Sequence, residues 1–243
     1  MVYVAMTGAK QILAAQTVNN HNLANVSTHG FRADLHRFST QNVNGAGYAT
    51  RANAVAEGLG FDTSPGTLVE TARALDVAVA GKGWIAVQAP DGTEAYTRAG
   101  DLHVSPTGVL ETATGHPVIG DGGPISLPPS TEIAIGGDGT ISIVPQGLGP
   151  NTLASISRIK LVNPADADIT KGTDGLIRMK DGSQAPPDAS VRLTSGVLES
   201  SNVNASEALI GMIELSRLFD LQVRAMTTAE QNANMATKMI SLV

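Results

Sequence analysis

Residues 204–240, NASEALIGMIELSRLFDLQVRAMTTAEQNANMATKMI, form the most regular part of the sequence, and the rest of the chain is best interpreted from them. Asn204 followed three residues later by Glu207 resembles a helix N-cap with a capping box. Beyond this cap, side chains that are apolar with one exception recur at alternating steps of three and four: Ala208, Met212, Leu215, Phe219, Gln222, Met226, Ala229, Ala233, Ala236 and Ile240. This spacing predicts a long helix with a coiled-coil seam. A seam of this length requires other helices to cover it.

A second amphipathic helix is predicted at the N-terminus. Its stripe, also spaced by three and four and widened by Ile12, consists of Met6, Ala9, Leu13, Gln16, Asn20 and Leu23. The helix is expected to stop within NLANVSTHGFR, residues 22–32, because short polar residues compete with the helix for backbone hydrogen bonds. Gly30 can adopt the left-handed conformation that ends helices, and Phe31 follows as an apolar anchor. We interpret residues 22–32 as a joint, not as an active site.

The central part of the sequence has the pattern of a β domain. Short runs rich in β-forming residues alternate with Asp-Gly turn dipeptides at 91–92, 121–122, 138–139, 174–175 and 181–182. The predicted fold is therefore α+β, with an all-β central domain at 67–200 flanked by terminal helices at 1–38 and 201–243 that pair as a coiled-coil layer. Residues 39–66 are rich in Gly, Ala and Asn and are expected to form an extended linker with room for one short strand.

The composition excludes several classes of protein. The chain of 243 residues contains no Cys, so disulfides, thiolate zinc sites and Cys nucleophiles are excluded. Its net charge is −6 and it has no cluster of Lys and Arg, which argues against a nucleic-acid partner. The sequence contains no run of about 18 apolar residues, so no transmembrane helix is predicted. No secretory signal peptide is expected.

The sequence offers few catalytic or metal-binding candidates. His21, His29 and His36 would share one face only on a continuous helix, and Gly30 interrupts that helix. The two carboxylates of NPADAD, residues 163–168, are more typical of a solvated loop than of an acid–base pair. No nucleophile-elbow or zinc-protease motif is present. We therefore expect no enzyme activity, no cofactor and no metal.

Three segments resemble the bacterial flagellar rod and hook proteins. They are NLANVSTHGFRADL at 22–35, RALDVAVAGKGWIAVQAPDGTEAYTRAGDLHVSPTGVLETATGHPVIGDGG at 73–123, and SGVLESSNVNASEALIGMIELSRLFDLQVRAMTTAEQN at 195–232. Together they span nearly the whole chain in the order that the family shows. Trp84-Ile85 and residues 216–220 favour a proximal rod subunit within this family, with a distal rod or hook subunit as the alternative.

The resemblance implies a structural role in the flagellar basal body. Such a subunit leaves the cell through the flagellar type III export apparatus and polymerises in the periplasm into a hollow axial drive shaft. Its partners are copies of itself and the other proximal and distal rod subunits. The terminal helices form an inner coiled-coil layer, with the β domain outside it. A less favoured alternative from another class is a periplasmic glycan-acting enzyme, which would need two carboxylates in a cleft.

The candidate assembly residues come from the two helical stripes and from the joint. They are Met6, Leu13, Asn22, Leu23, Asn25, Gly30, Phe31, Met212, Leu215, Phe219, Met226 and Ile240. The joint residues among them match the family motif. His21 stands where the family's distal rod members have an Asn, so no role is carried over to it.

Overall fold

The computed structural model describes residues 2–42, 52–146 and 153–240, and these divide into two compact units. The helical unit comprises Met1–Asn25, Ala33–Asp62 and Val203–Val243. The β unit comprises Val26–Arg32 and Thr63–Asn202. The chain therefore passes between the two units after residues 25, 32, 62 and 202. The α+β class predicted from the sequence is confirmed.

The helical unit contains both terminal helices, α1 (Val2–Ala24) and α2 (Ala205–Ile240). The predicted cap of α2 is present, since the side-chain oxygen of Asn204 accepts hydrogen bonds from the backbone N–H groups of Ser206 (3.0 Å) and Glu207 (3.4 Å). None of the helices in the described part of the chain is long and apolar enough to cross a membrane.

A β-hairpin completes the helical unit. Strands β1 (Asp34–Asn42) and β2 (Ala52–Phe61) pair antiparallel, with a bulge at Leu35 and His36. The structure differs here from the extended linker expected at 39–66, because β2 and the last four residues of β1 fall inside that range. The Gly- and Ala-rich sequence lacks the alternation of apolar and polar residues that marks a strand. The two strands form because their backbones pair with each other, and the side-chain pattern does not reveal this pairing.

The β unit is built entirely from antiparallel strands. They are β3 (Leu68–Glu70), β4 (Val77–Ala80), β5 (Trp84–Gln88), β6 (Glu94–Thr97), β7 (Leu102–Val104), β8 (Leu110–Thr112), β9 (Ile119–Gly120), β10 (Gly123–Pro124), β11 (Ser130–Ile135), β12 (Thr140–Pro145), β13 (Ala154–Arg158), β14 (Leu161–Val162), β15 (Ile169–Lys171), β16 (Ile177–Met179), β17 (Arg192–Ser195) and β18 (Val197–Glu199). The largest sheet has the order β14-β5-β6-β16-β15, a second has the order β11-β12-β13, and the remaining strands pair in twos.

The predicted turns and core are found in the β unit. Asp-Gly dipeptides lie between β5 and β6, between β11 and β12, and between β15 and β16. The core includes aliphatic side chains from both larger sheets, such as Ile85, Val87, Ile141 and Ile143, and from the two-stranded sheets, such as Leu110 of β8. Trp84 is buried, as expected from its place at the start of an alternating strand.

Candidate assembly sites

The asparagines of the joint bind backbone groups at the end of α1. The side-chain amide of Asn22 donates to the carbonyl oxygen of Asp34 (2.9 Å) and accepts from the N–H of the same residue (2.8 Å). The Asn25 side chain donates to the carbonyl oxygen of His21 (2.9 Å), which also accepts from the backbone N–H of Asn25 at 3.3 Å. An amide suits both positions because it carries a donor and an acceptor. Asn22 thus ties the end of α1 to the first residue of β1.

Gly30 lies where the chain allows no side chain. Its φ is +68°, the left-handed conformation expected from the sequence. Its N–H donates to the carbonyl oxygen of Glu199 at 2.8 Å. A Cβ atom at this position would lie 2.2 Å from the backbone carbonyl carbon of Arg98, well inside contact distance. Backbone conformation and close approach therefore both require glycine here.

Phe31 is the apolar anchor of the joint. Its side chain is buried in the β unit. The Lys171 ammonium lies 3.9 Å from the centre of the ring and donates to the carbonyl oxygen of Arg32 at 2.7 Å. The ammonium thus holds two neighbouring residues of the joint through a cation–π contact and a hydrogen bond.

A buried charge cluster lies beside this anchor, and the sequence analysis did not single it out. Glu199 Oε1 accepts a hydrogen bond from Arg32 Nη2 at 2.6 Å, and Glu199 Oε2 accepts one from Arg98 Nη1 at 3.0 Å. The side chains of Arg32 and Glu199 are each 1% exposed. Both guanidinium groups also lie over the indole ring of Trp84, at 5.7 Å and 5.1 Å from its centre. We define these four side chains as the charge cluster.

The charge cluster contains two cations and one anion. Arg32 Nε and Nη1 and Arg98 Nε are buried and donate to no acceptor among the described residues. Burial lowers the pKa of Arg98, and the Glu199 carboxylate opposes that effect. The indole ring offers its electron-rich face to the guanidinium groups, which offsets part of the cost of burying them.

One signal in the sequence pointed to this cluster. Each of the three segments that resemble the flagellar family contains one of its charged residues: Arg32 in THGFR, Arg98 in YTRAG and Glu199 in GVLES. Their mutual contact could not be read from the sequence, since Glu199 is separated from Arg32 by 167 positions and from Arg98 by 101.

The seam predicted on α2 matches the burial of that helix in its first two thirds. Ala208 and Leu215 are buried, and the seam positions Met212, Phe219, Gln222, Met226 and Ala229 are half-buried. Leu215 and Phe219 pack against Ile12 and Ala15 of α1. Ala233 and Ala236 are exposed, and the side chain of Ile240 lies outside the described part of the structure.

The corresponding stripe on α1 is shifted from the predicted one. Met6 and Leu13 are 51% and 48% exposed, whereas Ala9, Ile12 and Ala15 are buried, and Leu23 is half-buried. Ala9 and Ile12 belong to the stripe predicted from the sequence, whereas Ala15 does not. Ile12 and Ala15 form the side of α1 that packs against α2.

Two contacts show the relative direction of α1 and α2. The Asn19 side chain of α1 donates to the carbonyl oxygen of Ala208 at 2.8 Å. A Cβ atom on Gly8 would lie 3.2 Å from the Gln222 side chain. Later residues of α1 therefore meet earlier residues of α2, and the helices are antiparallel. Gln222, the one polar seam position, lies where α1 has no side chain.

The remaining polar candidates do not converge. His21 Nδ1 lies 2.7 Å from Asp34 Oδ2 and His29 Nδ1 lies 3.5 Å from Asp101 Oδ2, so each imidazole faces one carboxylate. His36 stacks edge-on against the Phe38 ring. Within residues 2–42, 52–146 and 153–240, no group of three or more His, Asp or Glu side chains is placed to hold a metal ion.

Comparison with known proteins identifies the family. The model of the flagellar hook protein FlgE/F/G D1 domain matches residues 78–143, and the model of the flagellar basal body rod FlgEFG protein C-terminal region matches residues 194–239. The chain is 44% identical to the flagellar basal-body rod protein FlgF of Salmonella typhimurium over 247 aligned positions, which cover 99% of this chain and 98% of the relative. The chain belongs to the flagellar basal-body rod protein family. The rod proteins of this family are structural, not enzymes, and this rod protein is a structural component of the flagellar basal body.

The identity to the FlgF rod proteins of Salmonella typhimurium and Escherichia coli is higher than the identity to a FlgG rod protein. FlgF of Escherichia coli is 43% identical over 99% of this chain and 98% of its own length. FlgG of Buchnera aphidicola is 32% identical over 95% of both chains. The expectation of a rod protein most like FlgF is confirmed. Arg98 and Glu199 each lie inside one of the two matched rod family regions.

Proposed function

We propose that the chain polymerises in the periplasm, with copies of itself and with other rod subunits, into the hollow axial shaft between the proximal and distal rod. The observation that carries this proposal is apolar helix surface that the chain itself does not cover. Large exposed apolar side chains occur on both helices: Met6, Leu13, Leu209, Ile210, Ile213, Leu218, Leu221, Val223, Met235 and Met239. Apolar surface of this extent is typical of an interaction face.

The end of α2 extends beyond its partner helix. Gln222 lies opposite Gly8, six residues after the start of α1, whereas α2 continues for eighteen residues beyond Gln222. About twelve residues of α2, or about 18 Å, therefore have no α1 residue opposite them. The seam continues there through Ala233 and Ala236, both of which are exposed. We propose that a helix of a neighbouring subunit covers this extension and that the helices of the assembled rod pair as an inner coiled-coil layer.

The domain roles follow from this proposal. The terminal segments, which contain α1 and α2, serve assembly together with the hairpin β1–β2 of the same unit. The β unit is a separate domain in each subunit. Export through the flagellar type III apparatus is part of the same proposal, because rod subunits must reach the periplasm before they polymerise.

Two alternatives remain for the test. A distal rod or hook subunit is disfavoured by the lower identity to FlgG. A glycan-acting enzyme would need a cleft with two carboxylates. The β unit has a depression of 190 Å³ whose lining includes Asp121 and Asp188. A hydrogen bond from Ser190 lowers the pKa of Asp188. A general acid of a glycosidase needs a raised pKa, so Asp188 is unsuited to that role.

Isolation of basal bodies tests the proposal directly. In a flagellated strain that carries a tagged copy of this chain in place of its own, we expect the tag in the rod of purified basal bodies and no rod distal to it when the gene is deleted. Complete rods in the deletion strain would refute the proposal. Incubation of the purified chain with peptidoglycan serves as the second arm, and release of glycan fragments would favour the enzyme instead.

A further inference from the structure

Glu199 binds three separate stretches of chain within the β unit. Its carboxylate accepts hydrogen bonds from Arg32 Nη2, from Arg98 Nη1 and from the backbone N–H of Gly66 at 2.9 Å. Its backbone carbonyl accepts a fourth, from the N–H of Gly30. The carboxylate lies at the end of β18, which pairs with β3.

Two of these stretches, those of Arg32 and Gly66, lie next to points where the chain leaves or enters the β unit, whereas Arg98 lies in the interior of the unit. Gly30 and Arg32 belong to Val26–Arg32, which has a crossing at each end. Gly66 follows the crossing after residue 62, and Glu199 itself precedes the crossing after residue 202. Close approach is again enforced by glycine, because a Cβ atom on Gly66 would lie 2.0 Å from the carbonyl oxygen of Ser200.

We propose that Glu199 is a positioning residue whose carboxylate holds all the connecting stretches of the β unit, Val26–Arg32, 63–67 and 197–202, in a single conformation. This inference deepens the proposed function and rests on it in one respect: a rod subunit must present its connections to the helices in the same geometry in every copy. Glu199 would thereby set the starting direction of each connection.

The composition of the charge cluster supports positioning over stability. A buried ion cluster is a weak source of stability, since apolar residues of similar volume often stabilise a fold equally well. The cluster also leaves three buried guanidinium nitrogens of Arg32 and Arg98 without an acceptor among the described residues. Charged hydrogen bonds are directional, unlike apolar contacts, because they fix both the distance and the angle between the two groups. A site selected only for stability would not need that property.

Amide hydrogen exchange in the isolated full-length chain tests this role. In Glu199→Gln we expect the amides of Gly30 and Gly66 to exchange about tenfold faster or more, because each loses hydrogen-bond geometry that the carboxylate maintained. The amides of Ile85 and Val87 in β5 should exchange at the wild-type rate. Equal acceleration throughout the β unit, or an unchanged rate at Gly66, would overturn the proposal.

Glu94→Gln is the matched control. Glu94 is also a buried carboxylate of the β unit, with a side chain 5% exposed, and it accepts hydrogen bonds from Lys160 and Tyr96. Its substitution should leave exchange at Gly30 and Gly66 unchanged. Acceleration at these two glycines equal to that in Glu199→Gln would show that any buried carboxylate of the unit has the same effect, and the proposal would fail.

A second variant decides the matter if Glu199→Gln does not fold. The triple substitution Arg32→Met, Arg98→Met and Glu199→Met replaces the ions with apolar side chains of similar length. We expect a folded chain in which Gly66 still exchanges about tenfold faster than in the wild type. A wild-type rate at Gly66 would mean that packing alone positions the connections, against the proposal.

The exchange results are independent of rod assembly. They are measured on the isolated chain, so a wild-type exchange rate at Gly66 overturns the role of Glu199 and leaves the proposed function standing. Absence of the wild-type chain from purified basal bodies overturns the proposed function and leaves the exchange result standing.

Discussion

At the scale of single residues, the conformation of the joint at residues 22–32 depends on close contacts that a different side chain would disrupt. Gly30 combines a φ of +68° with the close approach of the Arg98 backbone. The side-chain amide of Asn22 forms hydrogen bonds with both the N–H and the carbonyl oxygen of Asp34. Phe31 lies under the Lys171 ammonium. These contacts together explain why a polar stretch with few apolar side chains adopts one conformation.

Gly30→Val should displace residues 26–32 from the β unit while the core remains folded. Left-handed backbone strain at a β-branched residue costs on the order of 1 kcal/mol or more, and the clash with Arg98 adds to it. Gly92→Val is the control, because Gly92 has a φ of +81° and open space where a Cβ would lie. Thermal unfolding should show a larger loss for Gly30→Val. An equal loss in the two variants would mean that strain alone matters at Gly30.

Tyr96 should make stability depend on pH in the alkaline range. Burial raises the pKa of Tyr96 to about 12, and its hydroxyl donates to Glu94 Oε1 at 3.0 Å. The folded state therefore favours the neutral phenol, a contribution fully present below pH 10 and lost as the pH rises from about 10 to about 12. The loss should approach about 3 kcal/mol.

Urea unfolding at pH 9, 10 and 11 measures this effect. Tyr96→Phe cannot ionise, so its stability should fall less steeply than that of the wild type across the same range. Identical slopes for the two chains would show that the phenol does not titrate differently in the folded state, contrary to the prediction.

At the scale of secondary-structure elements, α1 and α2 form an antiparallel pair with two kinds of apolar surface. One surface is internal, where Ile12 and Ala15 meet Leu215 and Phe219. The other is exposed and includes Met6 and Leu13 on α1. Substitutions on the two surfaces should therefore have separable effects on the stability of the subunit and on its assembly.

Leu215→Asp should weaken the helix pair and block rod assembly. Burial of this leucine contributes roughly 1.5–3 kcal/mol, and a buried, unpaired carboxylate adds a further cost. Leu13→Asp should change the unfolding free energy by no more than about 0.5 kcal/mol, because Leu13 is half exposed in the isolated chain. It should nevertheless prevent assembly if the outer surface binds a neighbour.

Motility and basal-body isolation, together with thermal unfolding of the purified chains, check both variants. Glu214→Gln is the shared control, since Glu214 is exposed and lies off the seam. Complete rods in the Leu13→Asp strain would show that the exposed stripe of α1 is not an assembly surface.

At the scale of the whole molecule, local stability should differ along the chain. The β unit has a continuous aliphatic core, and the first two thirds of α2 have α1 as a partner. Residues 230–239 are all exposed. An isolated helical segment without tertiary contacts is marginal in water, so the end of α2 should open most readily.

Limited proteolysis of the isolated chain should first remove residues beyond 229. Cleavage should next reach the remaining terminal helices, and a core of about residues 67–195 should resist longest, because its opening requires global unfolding. Mass spectrometry of the fragments provides the measurement. Early cleavage within β5 or β6, with α2 intact, would contradict this order.

The sequence by itself determined the elements whose cause is local. The cap at Asn204, the phase of the seam on α2, the left-handed Gly30 and the Asp-Gly turns between strands all follow from residues a few positions apart, where periodicity and backbone preference act directly. The family resemblance was also present in the sequence, since each of its three segments is one continuous stretch of chain.

Only the tertiary structure decided which distant residues meet. The spacing of residues in α1 did not single out Ala15, which packs with Ile12 against Leu215 and Phe219, whereas the predicted Met6 and Leu13 are exposed. The hairpin β1–β2 depends on a partner strand that its own composition does not indicate. The contact of Arg32 and Arg98 with Glu199 joins positions 167 and 101 residues apart, and such a contact exists only once the whole β unit has folded around it.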